Sequence, residues 1–250
     1  MFRMNAIIFK NLKEAEFLPF TDPRALHVRD VIKAHDGDEV FVGLANGNLG
    51  KTRVKMGALG CAFMPEWSFL PAPRPLEGAL AVAFTRPQIA KRILFEAACA
   101  GVKKLCFYVS EKGFAPYLKS SLYESGEFEE QLYAGASQAC ATTIPDFLRF
   151  ESLEALLKYF EETPAQEPCA KIAPDPYEST GALCDILTPC QKTHYKSARM
   201  VLGGERGFGA QDRAALRASG FALAGMGERV LRTDSAVIAA LFAMTSFLKR

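Results

Sequence analysis

Apolar and polar positions alternate through the first seventy residues and then change rhythm. "NAIIF" (5–9) and "DEVFVGLA" (38–45) read as strands, "KTRVKM" (51–56) resumes the alternation, and "HDGDE" and "NGNLG" are turn signals between them. A small β-rich module over residues 1–70 follows. The prolines of "PAPRP" (71–75) suit neither a helix nor a central strand and mark the boundary to a second domain, 71–250.

Beyond that boundary "GALAVAF" (78–84) reads as a buried strand, and "PQIAKRILFEAACAG" (87–101) as a helix opened by Pro87 and stopped by Gly101. "VKKLCFYVS" (102–110) is another buried strand. Strand, helix and strand at this spacing predict a parallel crossover and an α/β domain. Residues 120–140 read as helical and "SLEALLKYFEE" (152–162) as an amphipathic helix, whereas the proline-rich 163–180 reads as a mobile surface stretch. The last seventy residues predict a strand, a glycine-rich loop, a short helix stopped by Gly220, another strand and a closing helix. Thr233 or Asp234 is the expected N-cap of that helix, with Ala236, Val237, Ala240, Leu241 and Met244 as its apolar stripe.

The chain has 250 residues, 49% hydrophobic and 23% charged, enough to bury a sizeable core, and its net charge of +2 does not by itself point to nucleic acid or membrane. The odd set of 7 cysteines, with no CxxC pair, reads as reduced, small core residues. No apolar run approaches the ~18 residues of a membrane span, so a soluble, cytoplasmic protein is expected. His27, His35 and His194 lack metal-ligand spacing, and no metal is expected.

"VLGGERGFGA" (201–210) packs glycines around one acid and one base. A Walker loop needs a lysine that this stretch lacks, and a dinucleotide fingerprint needs other intervals than those of Gly204, Gly207 and Gly209. Glu205 would also repel phosphates. A neutral or positive ligand approached by bare backbone is the better physical reading.

"LGGERGF" together with "MGERVLRTDSA" resembles the paired C-terminal motifs of the RsmE family, ribosomal RNA uridine-N3 methyltransferases of the SPOUT class. The family pattern is roughly G-P-E-G-G-F followed by L-G-x-R-I-L-R-x-E-T-A. Gly203, Glu205, Gly207 and Phe208 match the first motif; Gly227, Arg229, Leu231, Arg232 and Ala236 match the second. "LHVRDVIKAHDGDEVFV" (26–42) is similar to a segment of the family's N-terminal module. The resemblance implies a small N-terminal PUA-like β-barrel that helps hold RNA, then a C-terminal trefoil-knotted α/β domain that binds S-adenosylmethionine. It further implies methylation of N3 of a uridine in 16S (small-subunit) ribosomal RNA by a homodimer. On this carry-over Thr188 (with Pro189), Leu202, Gly203, Gly207, Met226, Gly227, Val230 and Leu231 hold the cofactor. Arg229, Gln138 and Arg86 face the RNA. Glu205 and Arg232 serve the reaction, one as holder of the base or of a cofactor amine or as acceptor of the proton, the other as partner of a phosphate or of the developing uracil anion. The plain alternatives are a surface acid at Glu205 and an Arg232 paired with Asp234.

The chain also departs from the family. Glu96 and Cys99 stand where lysine and glutamate are expected, and Ser137 and Ala141 replace an acid and an arginine in an element that keeps Gln138 and Pro145. Two alternatives therefore stay open: a non-catalytic RNA- or ribosome-binding protein, and a methyltransferase with another RNA substrate.

Overall fold

The computed structural model describes residues 5–188 and 195–248. It divides into two compact units, Met1–Pro73 with Tyr133–Ile144, and Arg74–Leu132 with Pro145–Arg250.

In the first unit the alternating segments form β1 (Ile7–Phe9), β2 (Leu18–Pro19), β3 (Glu39–Leu44), β4 (Leu49–Met56), β5 (Gly60–Phe63) and β6 (Ser68–Leu70). They pair in the order β1-β3-β4-β5-β2, with β6 also on β4. The first pair is parallel and the others antiparallel. Every second residue of β3 and β4 turns inward, so Val40, Val42 and Val54 meet Ile7, Phe9 and Phe63 in one core. Between β2 and β3, helix α1 (Pro23–Leu26) continues as a π-helical stretch, His27–Ile32. Residues 133–144 join this unit through polar ties to β1 and the β3–β4 turn. The Ser137 hydroxyl donates to the Ala6 carbonyl at 2.6 Å, the Thr142 hydroxyl donates to the Gly47 carbonyl at 2.8 Å, and the Ile144 amide donates to Asn46 Oδ1 at 2.9 Å.

The second unit alternates strand and helix. Its elements are β7 (Leu76–Ala83), α2 (Pro87–Ala100), β8 (Val102–Tyr108), α3 (Ser121–Glu124), α4 (Glu127–Gln138, whose last half clusters with the first unit) and β9 (Asp146–Phe150). There follow α5 (Leu153–Glu162), β10 (Cys169–Pro174), β11 (Gly181–Ala182), α6 (Leu183–Leu187), β12 (Ser197–Leu202), α7 (Ala210–Ala218), β13 (Ala222–Gly225) and α8 (Thr233–Phe247). All strands run parallel, in the order β11-β13-β10-β12-β7-β8-β9. Helices α5 and α7 cover one face, where Leu153, Leu156, Phe160 and Leu216 pack on Ala81, Tyr108 and Val201. Each such fully buried side chain contributes about 1.5–3 kcal/mol. Helix α8 packs on α2, α6, β7 and β12 through Val237, Ala240, Leu241 and Met244.

Three expectations need correction. Residues 169–174 are not a surface stretch: as β10 they lie between β12 and β13, with Ala170, Ile172 and Ala173 buried. A short strand covered on both faces shows no alternation, and its flanking prolines imitate a loop. Helix α8 begins one residue earlier than its polar side chains suggest, with Arg232 at the N-cap and no side-chain cap bond. Asp234 acts from inside the first turn, where its charge favours the helix dipole. Among the cysteines Cys61, Cys106 and Cys140 are buried, but Cys184 is exposed on α6; Cys190 and His194 lie outside the described residues. Among the described residues no helix is long and apolar enough to cross a membrane.

Candidate functional site

The carboxyl ends of β7, β12, β10 and β13 are neighbours in the sheet. Open parallel sheets bind ligands in the crevice beyond such ends. Here a cavity of about 420 Å³ lies there, within the range of small-molecule sites. Its wall is built from four loops: Arg86 and Ile89 after β7, Pro174–Tyr177 after β10, Leu202–Phe208 after β12, and Met226, Gly227, Arg229–Asp234 and Ala236 after β13.

Hydrogen bonds and close packing shape the β12 loop. The Leu202 carbonyl accepts the Tyr108 hydroxyl at 2.9 Å. Tyr108 is fully buried, which pushes its pKa well above the ordinary value and keeps it a donor. The chain then doubles back, the Gly207 amide donating to the Gly204 carbonyl at 3.0 Å. A Cβ on Gly203 would stand 2.8 Å from the Gly207 carbonyl carbon, and Gly207 has φ +65°. Bare backbone is thus required by the loop's own geometry. Phe208, buried in the core below, anchors it.

Charged groups surround this wall. Glu205 Oε1 lies 3.6 Å from Arg86 Nε. Arg232 Nε lies 3.5 Å from Asp234 Oδ1, while Arg92 Nη1 approaches Asp234 Oδ2 at 3.2 Å. Below the β10 loop, the fully buried Asp175 carboxylate pairs with Arg213 of α7 and accepts the Tyr177 amide at 2.7 Å. The hydrogen bond that Arg213 donates to Asp175 holds its guanidinium above its usual pKa, against the opposing effect of burial. Glu178 adds contacts to Arg213 at 3.6 Å and to Arg217 at 2.6 Å. The α7 N-terminus is tied in turn to the β8 loop. The Glu111 amide donates to Asp212 at 3.2 Å, and Glu111 Oε2 accepts the Gln211 amide at 2.8 Å.

The structure brings together Leu202, Gly203, Glu205, Gly207, Met226, Gly227, Arg229, Val230, Leu231, Arg232 and Arg86 around this one cavity. Two expected members are elsewhere. Thr188 is the C-cap of α6, where its hydroxyl donates to the Cys184 carbonyl, and it does not line the cavity. Its neighbour Pro189 lies outside the described residues. Gln138 ends α4 in the part that clusters with the first unit. The motifs did not reveal Asp175 and Tyr177, because their segment reads as a proline-rich loop. The signal available in "APDPY" was an acid placed at the end of a short apolar run. Arg232 does pair with Asp234, as the plain reading of that residue expects.

A model of the RNA methyltransferase domain family matches residues 72–245. Ribosomal RNA small subunit methyltransferase E of Treponema pallidum (strain Nichols) is 26% identical over 243 residues, 95% of this chain and 89% of that protein. Ribosomal RNA small subunit methyltransferase E 1 of Borreliella burgdorferi is 30% identical over 159 residues, 64% of this chain and 63% of that protein. In three dimensions the chain is similar to ribosomal RNA small subunit methyltransferase E from Neisseria gonorrhoeae bound to S-adenosyl methionine. The TM-score is 0.75 at 16% identity, over 98% of each chain, which is a likeness of fold. The chain belongs to the RNA methyltransferase domain family, and within it is similar to the ribosomal RNA small subunit methyltransferases E.

Proposed function

We propose that the protein methylates N3 of a uridine in 16S (small-subunit) ribosomal RNA, with S-adenosylmethionine as donor. The observation that carries this reading is the single cavity into which the β12 and β13 loops bring both motifs. The residues present fit the cofactor. Gly203, Gly207 and Gly227 offer bare backbone, and Leu202, Met226, Val230 and Leu231 offer apolar surface. When bound, S-adenosylmethionine supplies an electrophilic methyl group on a sulfonium. The protein's own part is positioning and charge control. Glu205, in the glycine loop, holds the base and accepts its N3 proton; Arg232 and Arg229 orient the RNA, with Arg86 steering Glu205 through their ion pair.

The finer architecture belongs to the same proposal. The six-stranded first unit closes as a PUA-like barrel that holds RNA, and the β12 and β13 loops form a trefoil knot. The chain acts in the cytoplasm as a homodimer that covers the exposed Ile238 and Phe242 of α8. The deciding experiment is transfer of labelled methyl from S-adenosylmethionine to small ribosomal subunits from a strain lacking this gene, with mapping of the modified base. Label on a uridine N3 is expected. Cofactor binding without transfer to small subunits would favour the other readings, RNA binding alone or another RNA substrate. Those readings draw on Ser137 and Ala141: the former spends its hydroxyl on the Ala6 carbonyl and the latter is buried, so neither supplies the charge that the family places there.

A further inference from the structure

We infer that a second cavity, bordering the first along the glycine loop, is the subsite that receives the nucleobase to be modified. This rests on the methyltransferase reading above and assigns the place of its substrate. The cavity measures about 350 Å³ and shares Arg86 and the Gly204–Gly207 loop with the first one. A base seated in it therefore borders the cofactor cavity along the residues that both linings share, Arg86 and Gly204, Glu205, Arg206 and Gly207.

Three features suit a nucleotide. Phe114 is 58% exposed and meets Tyr117 edge-to-face, ring centroids 4.9 Å apart, so a flat face of Phe114 is available for stacking. Lys112 and Arg206 stand beside the rings, and with Arg86 they outweigh Glu205, a balance that suits the flanking phosphates of an RNA strand. Ser110, only 5% exposed, forms part of the wall, and its hydroxyl has no hydrogen-bond partner among the described residues. An unmatched buried hydroxyl costs stability unless a ligand uses it; a base edge, rich in carbonyl and imino groups, is such a ligand. A base must leave its stack to be modified, and an aromatic shelf is the usual means of holding it.

The subsite is also held in place. Glu111, between Ser110 and Lys112, is bonded through its amide and carboxylate to the first turn of α7, where a Cβ on Gly209 would run into that carboxylate. The shelf and the glycine loop are thereby fixed to one helix end.

The test compares wild type with Phe114→Ala, Phe114→Trp, the double variant Phe114→Ala/Tyr117→Ala, and Ser110→Ala. The readouts are S-adenosylmethionine affinity, methyl transfer to small ribosomal subunits, and photocrosslinking to small-subunit ribosomal RNA carrying 4-thiouridine. The double variant is expected to lose about tenfold or more in kcat/KM for RNA with cofactor affinity unchanged, and Phe114→Trp to restore most of it. Ser110→Ala is expected to lose transfer without loss of thermal stability, which separates ligand contact from a structural role. Full transfer by the double variant would overturn the subsite and leave the methyltransferase reading standing. If wild type transfers no methyl, that reading fails and the subsite falls with it; where wild type does transfer, crosslink attachment within residues 110–117 supports the subsite, while attachment elsewhere or none overturns it.

Discussion

At Gly203 one added methyl group has no room: its Cβ would sit 2.8 Å from the Gly207 carbonyl carbon and 3.0 Å from the Phe208 amide nitrogen, both backbone atoms. Gly203→Ala must therefore open the loop, and a loss of about tenfold or more in S-adenosylmethionine affinity is expected by calorimetry, equivalent to ~1.4 kcal/mol. Undiminished affinity would remove the loop from the cofactor's wall. The thiols give a second prediction at this scale. Burial pushes Cys106 up to about 12, so at pH 8 it is neutral as well as inaccessible, whereas Cys184 is exposed. Iodoacetamide on the native protein should label Cys184 and spare Cys106, and denaturation should release the latter, as read by peptide mass spectrometry. Gly203, Gly207 and Gly227 were legible in the sequence because their demand is local: no room for a Cβ at Gly203, and a left-handed backbone at Gly207 and Gly227. Asp175 was not, because its meaning lies in a guanidinium 38 residues away.

Among the elements, β10 carries the contrast furthest. Its neighbours β12 and β13 were evident as apolar runs before loops, yet β10 itself, the strand between them, reads as linker. The pairing that makes it a strand, Cys169–Ile172 with Ser197–Met200 and Ile172–Pro174 with Ala222–Ala224, is wholly non-local. Its end is held to α7 by the Asp175–Arg213 pair, whose carboxylate is fully buried. Asp175→Ala leaves that guanidinium with Glu178, at 3.6 Å, as its carboxylate partner among the described residues, and is expected to cost about 3–5 kcal/mol in urea unfolding of the second unit. A loss under ~1 kcal/mol would mean that Glu178 alone suffices. The start of α8 shows the opposite limit of local reading: the polar pair Thr233 and Asp234 announced a helix start, but the choice of cap fell to a backbone already committed to the cavity wall.

For the whole molecule, α8 has buried its inner stripe and still shows Ile238 and Phe242, the latter 70% exposed, one turn apart on the same side. The proposed homodimer places them at its interface. Phe242→Asp is then expected to convert a dimer to a monomer in light scattering while leaving the fold intact by circular dichroism; an unchanged mass would reject that interface. The assignment of residues 133–144 to the first unit belongs to this scale too. The helical pattern as far as residue 140 was plain, but the ties of Ser137, Thr142 and Ile144 to residues more than ninety positions earlier were not.

What the sequence by itself determined is whatever rests on neighbours in the chain: the alternating strands of the first unit, the β7–α2–β8 crossover, the glycine loop, the second motif and, through the resemblance of the two motifs, the family. The tertiary structure alone decided that β10 is a central strand, that Asp175 underlies the cavity, that Thr188 stays outside it, and that a second cavity with Phe114 and Ser110 backs onto the glycine loop. The physical reason is the same in each case. Backbone conformation and apolar periodicity are encoded within a few residues, whereas burial, ion pairing and shared walls depend on which distant segments the sheet order sets side by side.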